Sequence, residues 1–363
     1  MEIRDIMKIL MVAPVIDAGM GVWLEKICPI LEKSHELTLL KSDRHEMDVS
    51  CKKNIVLHSW KFPSDLFRYM PDLKNLLNSG FFNNFDIIHL NSFSVYATDF
   101  ILKNRTKITS SIIVQSHGNL QNKKRNLLRK IHDYYTLKSI DKIDHVISVS
   151  NAEKNQLIKL GFSPNMITVS NSGVKIQIIP RQEREKEILY FGRLAPTKNV
   201  EILIEALSLS KIKDSKLIIA GKDYGSLKYL QKLTKKLGLV NRISFLHEIS
   251  EKKKLELLST STVFVHPSKS DIYALTLLEA AAAGVPCIAF DTEGSREIFS
   301  EEKTGILVNK LTAQELSNAI DHVLTEKKLR LEISERCKKI IPEKFSWEKT
   351  AKITSSVYSK FHC

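Results

Sequence analysis

The chain has 363 residues, 43% of them hydrophobic and 26% charged, which is material for two cores, because single cores seldom grow beyond about 250–300 residues. No apolar run reaches the ~18 residues of a spanning helix, and the N-terminus lacks the apolar stretch and cleavage site of a signal peptide, so a cytoplasmic protein is expected. Five scattered cysteines without a CxxC point away from a thiolate zinc site, and a net charge of +14 admits nucleic acid, anionic lipid or phosphorylated small molecules as partners.

The first half alternates strands and helices. Ile6–Val12 reads as a buried strand, followed by a glycine turn ending in Gly19-Met20-Gly21 and a helix from Val22 to about Leu31. Further apolar runs fall at Leu37–Leu40, Ile55–Leu57, Ile87–Leu90, Ile112–Gln115, His145–Val149 and Ile167–Val169. Helical patterns lie between them, including a basic, apolar-striped one from Lys123 to Leu137. Strands alternating with helices imply a parallel sheet covered on both faces. A polar segment with Pro180, residues 177–187, reads as a linker.

The second half repeats the arrangement. Strands are expected at Ile188–Phe191, Lys216–Ala220, Ile243–Leu246, Val263–Val265 and Val285–Phe290. Helices are expected at Val200–Leu209, Leu227–Leu237 and Glu251–Leu258. Another carries Leu275 to Ala283 and stops at Gly284, with Pro286 beyond as a stop signal. After Pro342 comes a last amphipathic helix, about Trp347 to Phe361. The expected domains are therefore 1–176, 188–341 and a C-terminal helix in 342–363 able to cross back to the first. Ligands of doubly wound α/β sheets sit beyond the carboxyl ends of the strands, so a cleft between the domains is the expected site.

Three segments carry chemistry. In YFGRLAPTKN (190–199), Gly192 frees the turn while Arg193 and Lys198 place two cations where a strand meets a helix, suited to a diphosphate. Asp271 at the entrance of the alanine-rich helix and Glu279 eight residues on are expected on nearly the same face. The helix N-terminus beside them suits a phosphate. EGSREIFSEEKTGILV (293–308) follows. Taken singly, each has a plain reading as solvated charge on an ordinary α/β unit.

Together, in this order and spacing, they resemble the retaining nucleotide-sugar glycosyltransferases of GT-B fold, the large group marked by two acidic residues separated by seven. The resemblance is specific over about 188–340. It is weaker in the first half, where it rests on Gly19-Met20-Gly21, QSHGN (115–119), SVSNAEKNQL (148–157) and SNSGV (170–174). It implies two Rossmann-like domains, with acceptor on the first and nucleotide-sugar donor on the second. Arg193 and Lys198 would hold the donor diphosphate, Glu279 the ribose, and Asp271 hydroxyls of the transferred sugar. Tyr273, Ala274 and Leu275 would line the donor pocket, His117 would face the sugar near the reacting carbon, and Gly21 would approach the phosphates across the cleft. Asp271 stands where glutamate is usual, and Ala274 where glycine is usual. No cofactor and no metal are expected, since two cations can stabilise the departing diphosphate. The acceptor is expected to be a saccharide, lipid-linked, of an envelope polysaccharide or a protein glycan.

Other readings stand beside this one. Gly19-Met20-Gly21 with Asp43 about twenty residues on has the look of a nicotinamide-binding turn, although Leu24 replaces the third glycine. A sugar-nucleotide epimerase or a phosphorylase of the same fold is a further alternative. Nucleic acid is not expected, for want of any matching motif. The basic run from Lys123 to Lys130 reads either as a dock for anionic membrane or as a solvated helix packed on its own domain.

Overall fold

The computed structural model describes residues 6–361 except 17, 45–46, 62–67, 118–132, 135, 175–179, 181, 183 and 300–302. Two units emerge, residues 1–173 with 347–363 and residues 174–346. The Lys123–Lys130 run and much of the 177–187 segment lie outside the described residues.

The first unit contains β1 (Lys8–Ala13), α1 (Ala18–Leu31), β2 (Glu36–Ser42), β3 (Lys53–Leu57), the short antiparallel pair β4 (Trp60–Lys61) and β5 (Arg68–Tyr69), and α2 (Leu73–Asn78). It continues with β6 (Ile87–Asn91), α3 (Tyr96–Lys103), β7 (Ser111–Gln115), β8 (His145–Ser148), α4 (Asn151–Lys159) and β9 (Ile167–Val169). Seven strands pair in the order β3-β2-β1-β6-β7-β8-β9, all parallel. The apolar runs follow from burial on both faces. Ile9, Met11 and Ala13 of β1 pack with Trp23 and Ile27 of α1, whereas Leu10 and Val12 pack with Phe93 and Ile101. The SVSNAEK segment is a capping device: Ser150 Oγ accepts from Glu153 N–H at 3.0 Å, and the Glu153 carboxylate accepts from Val149 N–H at 2.8 Å.

The second unit runs β10 (Glu187–Phe191), α5 (Val200–Leu209), β11 (Lys216–Ala220), α6 (Leu227–Lys236), β12 (Ile243–Leu246), α7 (Glu251–Thr260), β13 (Val263–His266) and α8 (Leu275–Ala282). Then come β14 (Cys287–Phe290), α9 (Glu293–Phe299), β15 (Ile306–Val308), α10 (Ala313–Thr325) and α11 (Lys327–Lys344). The parallel order is β12-β11-β10-β13-β14-β15. Leu189 and Phe264 face α8 and α11 through Leu277, Leu278, Cys337 and Ile341, while Ile188 and Tyr190 face α5 and α10. The final helix, α12 (Trp347–Tyr358), belongs to the first unit, where Trp347, Ala351 and Tyr358 join the α1 side of the core.

Both sheets are α/β and doubly wound. Each reverses strand order once, between β1 and β6 and between β10 and β13, and these reversals are where such sheets bind ligands. One expectation needs correction. Helix α1 starts at Ala18, so Gly19 and Gly21 lie in its first turns and not in a turn before it. The expected last helix does follow Pro342, as α12, while Pro342 itself lies inside α11 between the buried anchors Ile341 and Phe345. Among the described residues, no helix is long and apolar enough to cross a membrane.

Candidate active site

At the second sheet's reversal the backbone itself is crowded. Gly192 follows β10 at φ 151°, and its N–H donates to Ala220 O at 3.0 Å. Gly221, which follows β11 at φ 152°, packs so closely that a β-carbon there would strike the Gly192 carbonyl oxygen. Only glycine tolerates that approach at that φ. The pair fixes the path into Arg193, whose carbonyl accepts from the Tyr190 hydroxyl at 3.0 Å. The Arg193 guanidinium is exposed and lies 5.7 Å from the centre of the Tyr224 ring, which also has Lys222 Nζ at 5.9 Å.

The loops after β10 and β13 are joined. Lys269 N–H donates to Asn199 Oδ1 at 3.2 Å, and Ser268 Oγ to Thr197 O at 3.4 Å. They bring Lys198 onto Asp271: Lys198 Nζ lies 2.7 Å and 2.9 Å from the two carboxylate oxygens. His266 Nε2, on the last residue of β13, lies 2.6 Å from Asp271 Oδ2. The Lys198 and Asp271 side chains are each 17% exposed. Burial pushes the Asp271 carboxyl upward, but His266 and Lys198 outweigh it and hold the group well below the usual carboxylate range. Beneath the loop, a β-carbon on Gly294 would strike the Asp271 carbonyl oxygen, so the glycine of EGSREI lets α9 pass under it.

Glu279 is in separate company. It projects from α8 to Lys254 Nζ of α7 at 2.8 Å. Burial raises the Glu279 carboxyl, and the ammonium of Lys254 opposes the rise.

The expectation that Asp271 and Glu279 share a helical face is therefore overturned. Asp271 lies in the loop four residues ahead of α8, so helical periodicity does not relate the two. Ala274 takes the N-cap position at φ −100°, with no left-handed backbone for glycine to relieve. Leu275 opens α8, and Tyr273 is half-buried with its ring 6.5 Å from that of Phe345. Lys198, expected on a diphosphate, is already paired with the carboxylate expected on the sugar. His266 and Lys254 escaped the sequence reading. A histidine closing an apolar strand was a signal for the first, but Lys254 sat unmarked in a run of three lysines.

In the first unit, His117 follows β7 in left-handed backbone at φ 48°, with its ring 5.4 Å from that of Trp23. Trp23 also packs at 5.6 Å on His89, whose Nδ1 lies 2.6 Å from the Tyr358 hydroxyl. Burial depresses both histidines to about 3, so both are neutral at pH 7. His117 Nε2, Trp23 Nε1, Asn91 Oδ1 and both Gln115 amide atoms are buried and bond no described residue. Leaving such an atom unmet costs about 1–3 kcal/mol. Gly21 makes a close approach of its own, because a β-carbon there would strike Met47 Sδ. Asp43 is committed to structure: it pairs with His58 Nδ1 at 2.7 Å and accepts from Ser59 N–H and Oγ at 2.9 and 2.8 Å. With the glycines inside α1, the nicotinamide-binding reading is not favoured.

Comparison with known proteins divides the chain at the same place. The family profile described as "Glycosyl transferases group 1" matches residues 173–340, and that of "Glycosyltransferase Family 4" matches residues 19–177. An uncharacterised glycosyltransferase of Methanocaldococcus jannaschii is 34% identical over 179 residues, a stretch that spans 49% of this chain and 45% of that protein. A second from the same organism is 28% identical over 98% of this chain and 99% of its own length. The crystal structure of Anabaena HepE in complex with UDP and glucose superposes with a TM-score of 0.79 at 18% identity, covering 98% of this chain and all of that one.

Proposed function

The chain belongs to the group 1 glycosyltransferases of GT-B fold, and from that membership we propose that it moves a sugar from a nucleotide-sugar donor to a saccharide acceptor with retention of configuration. The observation that carries this reading is the cluster at the second sheet's reversal, where Arg193, Lys198, Asp271 and His266 gather at the ends of β10 and β13. Glu279 on α8 supplies a carboxylate for the donor ribose, and Tyr273, Ala274 and Leu275 lead into that helix. The HepE complex, of the same fold, holds UDP and glucose.

Departure of the nucleoside diphosphate builds negative charge, and Arg193 and Lys198 are pre-placed cations that stabilise it as it forms. The anomeric carbon–oxygen bond breaks as the acceptor hydroxyl attacks from the same face. The departing phosphate oxygen takes the acceptor's proton, so neither a carboxylate nucleophile nor a metal is called on. Asp271, held ionised by its two partners, accepts from hydroxyls of the transferred sugar. The first unit, where His117 is held neutral by burial, is the one to which we assign the acceptor. The acceptor we infer is lipid-linked, and the basic run from Lys123 to Lys130 would hold the enzyme to the cytoplasmic face of an anionic membrane.

A thermal-shift panel of nucleotides and nucleotide sugars tests the donor. A ligand at a hundred times its dissociation constant adds about 2.7 kcal/mol of stability, so even a modest binder registers. No shift with any nucleoside diphosphate would overturn the reading. With a donor in hand, the anomeric configuration of the first-formed product, read by NMR, decides retention.

A further inference from the structure

Lys254 stands outside every motif that drew attention to this chain, yet it ties three parts of the candidate site together. Its Nζ lies 2.8 Å from Glu279 Oε1 on α8 and 2.9 Å from Glu251 Oε1 on its own helix. It also sits 5.9 Å from the ring centre of Phe191, the last residue of β10 before Gly192 and Arg193. The Lys254 side chain is 14% exposed, against 32% for Glu279 and 81% for Glu251. A lysine so enclosed has given up most of its hydration, and the inward carboxylate of Glu279 is the partner that replaces it. Glu251, out in solvent, contributes little to holding it.

We propose that Lys254 is a positioning residue for donor binding: it occupies one oxygen of Glu279 and so fixes the carboxylate with the other oxygen turned to the ribose hydroxyls. This rests on the donor-site reading above. A free glutamate on α8 would sample several rotamers, and ordering one costs side-chain freedom at the moment of binding. The bridge to α7 meets that cost in the unliganded protein, which is preorganisation for the nucleotide. The ammonium of Lys254 also opposes the upward push that burial gives the Glu279 carboxyl.

The test is a double-mutant cycle read by calorimetry, with UDP, GDP and ADP as probes on the full chain. Methionine keeps the length and packing of the lysine stem, so Lys254→Met is expected to fold and to weaken the best-binding probe about 10-fold. In a Glu279→Gln background the same substitution should change affinity less than about 2-fold, since the group it positions is already altered. Lys254→Arg should recover most of the wild-type affinity. Glu251→Gln, which leaves the Lys254–Glu279 bridge in place, should bind within about 2-fold of wild type. Equal losses from Lys254→Met in both backgrounds, or a loss in Glu251→Gln as large as that in Lys254→Met, would overturn the inference. Unchanged affinity in Lys254→Met would do the same. If Glu279→Gln alone leaves affinity intact, it is the ribose assignment that fails.

Discussion

Asp271→Asn separates the two tasks that meet at Lys198. In the structure the ammonium is bound by both carboxylate oxygens, at 2.7 and 2.9 Å, in a setting where each side chain is only 17% exposed. A charged hydrogen bond of this kind is worth about 1.5–3 kcal/mol net. An incoming diphosphate must therefore share Lys198 with a carboxylate that repels it. Asparagine keeps one oxygen on Lys198 but removes the negative charge. About half of the pair's value is then released to the ligand, and nucleoside diphosphate should bind as tightly as to wild type or up to about 10-fold tighter. Turnover should move the other way. Contacts to hydroxyls of the reacting sugar strengthen in the transition state, and losing a charged one lowers kcat by about 10- to 100-fold.

The substitution also leaves half-buried Lys198 without its counter-charge. A stability loss of about 3 kcal/mol is expected from breaking such a pair, so each measurement is made well below the melting temperature and normalised to folded protein. Calorimetry with nucleoside diphosphate and initial rates on the cognate donor supply the two numbers. Full kcat in Asp271→Asn would remove Asp271 from the active site. A drop in nucleoside diphosphate affinity of 10-fold or more, with the fold intact, would refute the competition for Lys198.

Arg193→Ala and Lys198→Ala are each expected to weaken nucleoside diphosphate by about 1.5–3 kcal/mol, and turnover should survive EDTA; loss in EDTA restored by magnesium or manganese would contradict a two-cation site. Gly294→Ala drives a β-carbon into the Asp271 carbonyl, so it should cost about 1–3 kcal/mol of stability and reduce kcat more than nucleotide affinity, measured by melting and by initial rates. Burial depresses His89 and His117 to about 3 and His145 to about 4, all below the unfolded value near 6.5. The stability they contribute is fully present above about pH 6.5 and lost as pH falls toward 4, at about 1.4 kcal/mol per pH unit for each histidine. His89→Gln should flatten that slope in thermal melts between pH 7 and 4, and parallel curves would refute it. Vesicle co-sedimentation should show binding to anionic lipid at low salt that high salt abolishes, and no binding at low salt would strip the Lys123–Lys130 run of a membrane role.

What the chain disclosed about itself followed from how local each signal was. Strands buried on both faces must be apolar throughout, so β1, β6, β7, β10 and β13 were plain in the sequence, and glycine and proline marked the end of α8. The glycines in the first turns of α1 misled because a GxG after a strand has two physical uses. One is a free backbone turn; the other, taken here, is room for Met47 against the helix. The stretch beyond residue 310 went unread because α10 and α11 are mostly polar helices, and a proline near the end of α11 has the look of a boundary. In the candidate site, the residues that a motif marks were legible, but their partners were not. His266 and Lys254 reach Asp271 and Glu279 from other elements, and Lys254 from 25 residues away in the chain. Neither periodicity nor spacing encodes such contacts, and the Lys198–Asp271 pair likewise forms only because the sheet order brings the ends of β10 and β13 side by side. The two acidic residues share a spacing in sequence but not a helix. What they have in common is that each is met by a half-buried cation supplied by a different neighbour, and those cations decide what each carboxylate has left to offer a ligand.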